Sequence, residues 1–357
     1  HPKPLSLNAC QATLSAGEAM VQYALLPDES FALVVTPKTA RIVNLGPTDE
    51  LREIAESFER AARRPDERGI IQKGKKSFAY LTRRIRRLAI EPLGLGKDVR
   101  RLLISPDGRL AYVPFAAVVL DLEIVFIPSA TTYQALAAER DKRGDRVLAL
   151  GDVVYDVKKQ PDLLVKRGVE RGGRFEPLLE SGPEARAVGD VVLLNHNATI
   201  AGLRAALPGS KRWRAVHFAC HGHIDAERPV LSLLALTPGA DDDGYLRCLD
   251  VFRMKIPADL AVLSACRTGK GKVYRAEGVV GFTRAFLFAG TPRVIVSVWT
   301  VPDETSRPVM EKFYELWKGT KMSAATALRK AQDHVRSKPK WKHPYFWAAW
   351  QLWGLPD

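Results

Sequence analysis

Cysteine is scarce in this chain. Its four residues, Cys10, Cys220, Cys248 and Cys266, are scattered, and no two stand in a C-x-x-C spacing. Neither a disulfide framework nor a zinc ribbon can be built from them, and free thiols fit a reducing, cytoplasmic compartment. Long apolar runs are missing as well. AAVVLDLEIVFI (Ala116 to Ile127) is too short and too interrupted by acids to span a bilayer, so no membrane partner is expected. The opening residues, HPKPLSLNACQATLS, lack the charged head and apolar stretch of a secretory signal. They begin at His1 rather than Met, as a piece of a longer chain would. Acids are in deficit, 40 against 54 Lys and Arg, for a net charge of +14. Much of the excess lies between Arg60 and Arg87, in RRPDER, QKGKKSF and TRRIRRL. Such a run suits a docking face for an acidic protein or nucleic acid, or a solvated helix face beside a basic loop. No aromatic stripe, helix-turn-helix or RNA-binding signature accompanies it, so specific nucleic-acid recognition is not expected. No internal repeat is visible.

What is present is a chain of 357 residues, 46% apolar, enough for one large or two ordinary domains. MVQYALLP, SFALVVT and TARIVNL read as strands joined by turns between Met20 and Leu45, followed by a helix from Thr48 to Arg64. RRLLISPDGRLAYVPFAAV (Arg100 to Val118) reads as a hairpin turning at Pro-Asp-Gly. AAERDKRGDR (Ala137 to Arg146) is the expected linker. Beyond it, apolar strands (VLALGDV, VVLLN, RAVHFACHG, DLAVLSAC, RVIVSVW) alternate with helices, two further helices follow, and AAWQLWG closes as a buried strand. Nearly all-apolar strands separated by helices indicate a parallel sheet covered on both faces. The expected fold is α/β: a mostly parallel sheet flanked by helices over 147–357, preceded by a smaller mixed α/β region over 1–136.

The chemistry concentrates in two stretches, HFACHGHID (His217 to Asp225) and AVLSACRTGKG. Strand alternation puts Val216, Phe218 and Cys220 on one face, with His217 and His221 on the other. That argues against a catalytic pair, or a metal set, of Cys220 with His217, His221 and His223, and no carboxylate motif completes such a set. Cys266 ends an apolar strand and opens a loop rich in glycine and lysine. Sites in parallel sheets form beyond the carboxyl ends of the strands, where both His221 and Cys266 fall. An imidazole beside a thiol there makes a nucleophile. The N–H groups of Gly222 and Cys266 would hold the oxyanion of an acyl-transfer intermediate.

ISPDGRLAYVPFAA, FIPSATT, HFACHGHID, VLSACRTGKGKV, EGVVGFTRAFLFAGTPRVIVSVWTVPDE, MEKFYELWKGTKMSAATALRKAQ and HPYFWAAWQLWG together resemble the CHAT family of caspase-like cysteine peptidases, relatives of separase, gingipain and the caspases. The resemblance begins near Ile104 and implies a caspase-like three-layer sandwich. It places the family's histidine on His221 and its nucleophile on Cys266, with no cofactor. It makes the segment from Ser297 through Val298 and Trp299 to Thr300 an edge that pairs with the substrate backbone, unless Trp299 is core. Asp225 and Glu277 are candidate substrate-binding residues, with Asp303 and Arg247 beside them; their order is open, and so is an apolar preference. Asp225 could also orient His221. The implied activity is limited cleavage of a partner protein, gasdermin-like or CRISPR-associated, in a regulated prokaryotic signalling or antiphage-defence pathway, with a helical-repeat regulatory partner or domain. Two alternatives remain: a catalytically latent caspase-like scaffold or binding module, and a nucleic-acid-responsive protein drawing on the net positive charge.

Overall fold

Alternating apolar residues open the chain as a meander. In the computed structural model, which describes residues 5–63, 77–155, 175, 177–224, 229–264, 267–268, 277–299, 301–320 and 322–357, a short helix, α1 (Leu7–Ala12), precedes three antiparallel strands. These are β1 (Glu18–Leu25), β2 (Glu29–Val35) and β3 (Ala40–Pro47), with Met20 opposite Val35 and Leu33 opposite Ile42. Helices α2 (Thr48–Arg63) and α3 (Phe78–Ala89) follow, the second capped by the Ser77 hydroxyl, which accepts from the N–H of Tyr80. The RRPDER and QKGKKSF parts of the basic run fall almost wholly outside the described residues.

The stretch expected to be a hairpin is not one. Its first half is β4 (Arg101–Ser105), which pairs in parallel with β1 on one side and with β5 (Glu123–Phe126) on the other. With both edges taken, no place remains for a returning strand. The chain instead turns at Gly108, in the left-handed region at φ 50°, and buries Leu110, Ala111, Tyr112 and Phe115 in a 3-10 turn and the short helix α4 (Phe115–Val118). Helix α5 (Ala130–Ala137) follows β5.

Contacts divide the chain into two compact units, one of residues 1–140 with 322–357 and the other of residues 141–321. The second unit holds the alternating part of the sequence. Its strands are β6 (Val147–Gly151), β7 (Val191–Leu194), β8 (Ala215–Phe218), then β9 (Gly222–Ile224), β10 (Leu233–Ala235), β11 (Tyr245–Arg247), β12 (Ala261–Leu263), β13 (Arg267–Thr268) and β14 (Arg293–Ser297). Five of them form an all-parallel sheet in the order β7-β6-β8-β12-β14. Every residue of β6, β8, β12 and β14 is buried, as their apolar sequences predict. The helices are α6 (Ser181–Val188), α7 (Ile200–Ala206), α8 (Cys248–Arg253), α9 (Glu277–Phe288) and α10 (Asp303–Gly319). Successive residues of β8 show the layering. His217 faces α6 and α10, touching Glu184 and Tyr314, and Phe218 faces α9, its ring 5.8 Å from that of Phe286.

The last residues return to the first unit as α11 (Ala324–Arg336) and β15 (Trp350–Gly354). β15 lies parallel to β5, with the Trp353 and Phe126 rings stacked 5.1 Å apart. Arg101 ties the starts of three adjacent strands there, 2.8 Å from Glu18 and 2.7 Å from Glu123. Among the described residues no helix is long and apolar enough to cross a membrane.

Candidate active site

The two chemical stretches leave the parallel sheet side by side. β8 and β12 are neighbours, with Phe218 opposite Leu263, so His221 and the Cys266 loop both follow carboxyl ends of adjacent strands. Beyond the sheet edge the two chains meet again. β9 and β13 pair in parallel, Arg267 opposite His223 and Thr268 opposite Ile224, within a smaller sheet of order β11-β10-β9-β13. The residue after Cys266 thus lies beside the second residue past His221. Cys266 itself, Asp225 and Thr300 lie outside the described residues, as does the side chain of Glu277, the first residue of α9.

His221 sits in an aromatic enclosure and is only 8% exposed. Its ring stacks on Phe175, centroids 5.0 Å apart at 21°, and tilts against Tyr155 at 5.1 Å. Tyr245 from β11 meets Phe175 edge-on at 6.5 Å. The main chain is fixed too. The His221 N–H donates to the Tyr155 hydroxyl at 3.0 Å, and its carbonyl accepts from the N–H of Ala235 at 2.7 Å. Burial of Tyr245 pushes its phenol up to about 12, the neighbouring Asp243 adding to the effect. Gly222 opens β9 opposite Leu234.

The remaining candidates are spread. Ser297 ends β14, and Ser297, Val298 and Trp299 are all buried. Arg247, the last residue of β11, pairs with Asp243, its guanidinium 5.7 Å over the Tyr245 ring. Cys220 is buried. Among the described residues no three His, Cys, Asp or Glu side chains converge as a metal ion would need.

Sequence reasoning passed over one cluster. His217 Nε2 lies 2.9 Å from Glu184 Oε1 on α6. The Ser264 hydroxyl, just past β12, donates to the same oxygen at 2.5 Å, and Ser306 on α10 donates to Oε2 at 3.0 Å. Tyr314 closes the far side, its hydroxyl 3.4 Å from His217 Nδ1. Burial, then Glu184 and Asp190, holds the Tyr314 phenol well above its ordinary range. A signal was there to read: Glu184 stands three residues after Ser181 and four before Val188, on the buried stripe of α6.

A family model for the CHAT domain matches residues 80–355. Over 110 residues the chain is 40% identical to tetratricopeptide repeat protein 28 of Homo sapiens, and 37% identical to its Mus musculus counterpart. Those alignments cover 30% of this chain and 4% of each relative. In structure the chain resembles separase in the Saccharomyces cerevisiae separase–securin complex, with a TM-score of 0.55 at 11% identity, covering 97% of this chain and 30% of separase. A second structure of that complex gives 0.53. This likeness establishes the fold, a caspase-like arrangement of a mostly parallel sheet flanked by helices.

Proposed function

Since the chain belongs to the CHAT domain family, matched over most of its length, we propose that it is a cysteine endopeptidase acting through Cys266 and His221. The observation that carries this reading is the double pairing of the two chain segments: β8 against β12, and past the sheet edge β9 against β13. Backbone pairing of the segments that flank them supports a reading in which His221 and Cys266 act together.

In the proposed reaction the Cys266 thiolate adds to the scissile carbonyl carbon. The carbonyl oxygen becomes an oxyanion held by the N–H groups of Gly222 and Cys266. Collapse breaks the C–N bond, and the amine leaves with a proton from His221. Water then attacks the thioester, gives its proton to His221 and releases the acid and the thiolate. The substrate is a protein cut at few sites, with Ser297, Val298 and Trp299 along its backbone and Asp225 or Glu277 at its side chains. We place the enzyme in a cytoplasmic, regulated prokaryotic signalling or antiphage-defence pathway, cutting a gasdermin-like or CRISPR-associated partner. The tetratricopeptide repeats named in its relatives support a helical-repeat regulator.

A second reading is favoured by one observation. His221 lies under Phe175 and Tyr155 with little surface left, as in a latent enzyme awaiting an activator, or a scaffold. The deciding experiment incubates wild type and Cys266→Ala with the proteins encoded beside the gene, and reads fragments by mass spectrometry. Cleavage by wild type alone supports the peptidase and reveals the residue before the cut. Cleavage that survives Cys266→Ala removes the nucleophile assignment, and no cleavage by either favours the latent reading.

A further inference from the structure

Glu184 is a carboxylate buried to 2% exposure in the second unit and is not among the residues proposed to react. Its two oxygens face three donors from three elements: His217 on β8, Ser264 at the end of β12 and Ser306 on α10. Ser264 and Ser306 also lie 2.9 Å apart. An isolated buried carboxylate is costly, and one that accepts from several donors becomes a fixed junction. The attachment points matter more than their number. His217 stands four residues before His221, and Ser264 two residues before Cys266. The Ser264 N–H also donates to the carbonyl of Phe218 at 2.9 Å, closing the β8–β12 ladder at the same level.

We infer that Glu184 is a positioning residue: it clamps the carboxyl ends of β8 and β12 and so sets the spacing between His221 and Cys266. Neither Glu184 nor His217 reaches the substrate; each acts through the strand end it holds. The inference rests on the peptidase reading for its kinetic consequence, and its effect on the Cys266 thiol is read separately, without a substrate.

The clamp has a chemical signature that a merely stabilising contact lacks. Glu184→Gln keeps the shape and one acceptor oxygen for His217 Nε2, and its amide N–H₂ can donate to a serine hydroxyl. Glu184→Ala leaves His217 and both hydroxyls without their common acceptor. Ser264→Ala detaches only the strand that leads to Cys266.

Two readouts apply. The first is the rate of Cys266 alkylation by iodoacetamide in folded protein, followed by peptide mass spectrometry. The second is kcat and KM on the fastest-cut member of a peptide library. Glu184→Ala and Ser264→Ala are expected to slow alkylation about tenfold, and to lower kcat about ten- to a hundredfold, the range for a displaced reacting group. KM should stay within about twofold, since substrate contacts are untouched. Glu184→Gln should recover most of both rates. Wild-type alkylation and kcat in both Glu184→Ala and Ser264→Ala, with only a lowered melting temperature, would overturn the clamp. So would a Glu184→Gln as slow as Glu184→Ala. Ser264→Ala decides the matter if Glu184→Ala does not fold. A wild type that cuts no peptide defeats the peptidase reading alone, because the alkylation rates still test the clamp.

Discussion

Asp259→Ala should destabilise the second unit while leaving the candidate site alone. Asp259 is fully buried two residues before β12, at the amino end of the parallel sheet. One oxygen lies 2.5 Å from Arg212 Nε; the other lies 3.3 Å from Arg214 Nη1 and accepts the N–H of Gly144 at 2.8 Å. The arginine side chains keep 15% and 18% of their surface, and the Arg214 guanidinium stacks 4.0 Å over the Trp317 ring, so neither can swing freely into water. Removing one partner of a fully buried pair costs about 3–5 kcal/mol. The surface the arginines retain points to the lower end, about 3 kcal/mol. For a unit of this size each kcal/mol moves the melting temperature by about 2–4 °C, so a drop of about 6–12 °C is expected. Differential scanning calorimetry of wild type and Asp259→Ala measures it, and alkylation of Cys266 well below the transition should keep its wild-type rate. A drop under about 2 °C would show that the cluster contributes no more than an exposed ion pair and would refute the reasoning. Slowed alkylation in folded protein would show that the amino ends of the strands also govern the site.

Other outcomes follow from the same structure. At pH 7.5 iodoacetamide should leave Cys10, Cys220 and Cys248 unlabelled until urea is added, since all three are buried and burial pushes the Cys248 thiol up to about 11; native labelling at the urea rate would contradict this. Burial pulls the His343 imidazole below its ordinary value of 6.5, and its Nδ1 accepts the N–H of Tyr345 at 3.2 Å. The folded first unit therefore binds fewer protons than its unfolded chain. The stability carried by neutral His343 is present above about pH 6.5 and is lost as the pH falls from there toward the lowered value. Melting temperatures of wild type and His343→Asn from pH 7.5 to 5.5 test the sign, with the variant giving the flatter curve. Phe175→Ala removes the ring stacked on His221, so diethyl pyrocarbonate should modify His221 several-fold faster; an unchanged rate would mean that Phe175 does not shield the imidazole.

What could be read beforehand was what local chemistry writes. RAVHFAC and DLAVLSAC are apolar on both faces because their strands are buried on both faces, so a parallel sheet followed from composition alone, and with it the placement of His221 beyond a strand end. The strand alternation drawn for AVHFACHG held only as far as Phe218, where β8 stops. RRLLISPDGRLAYV misled because a Pro-Asp-Gly turn predicts a change of direction, not a partner; β1, far earlier in the chain, and β5, which follows the turn and α4, fill both edges of β4. Glu184 was legible as a polar residue on an apolar stripe, but its partners come from three other segments. That the last residues pack with the first 140 is equally non-local: β15 finds β5 across more than two hundred residues.

The small sheet at the site has a consequence for inheritance. The alignment of β9 with β13 is held by main-chain groups, which no substitution removes except one to proline. Side chains on β10 and β11 can therefore change while the main-chain pairing that aligns the two paths is kept. On the peptidase reading proposed above, such a scaffold keeps its spacing in the backbone and leaves the side chains of the small sheet free to change.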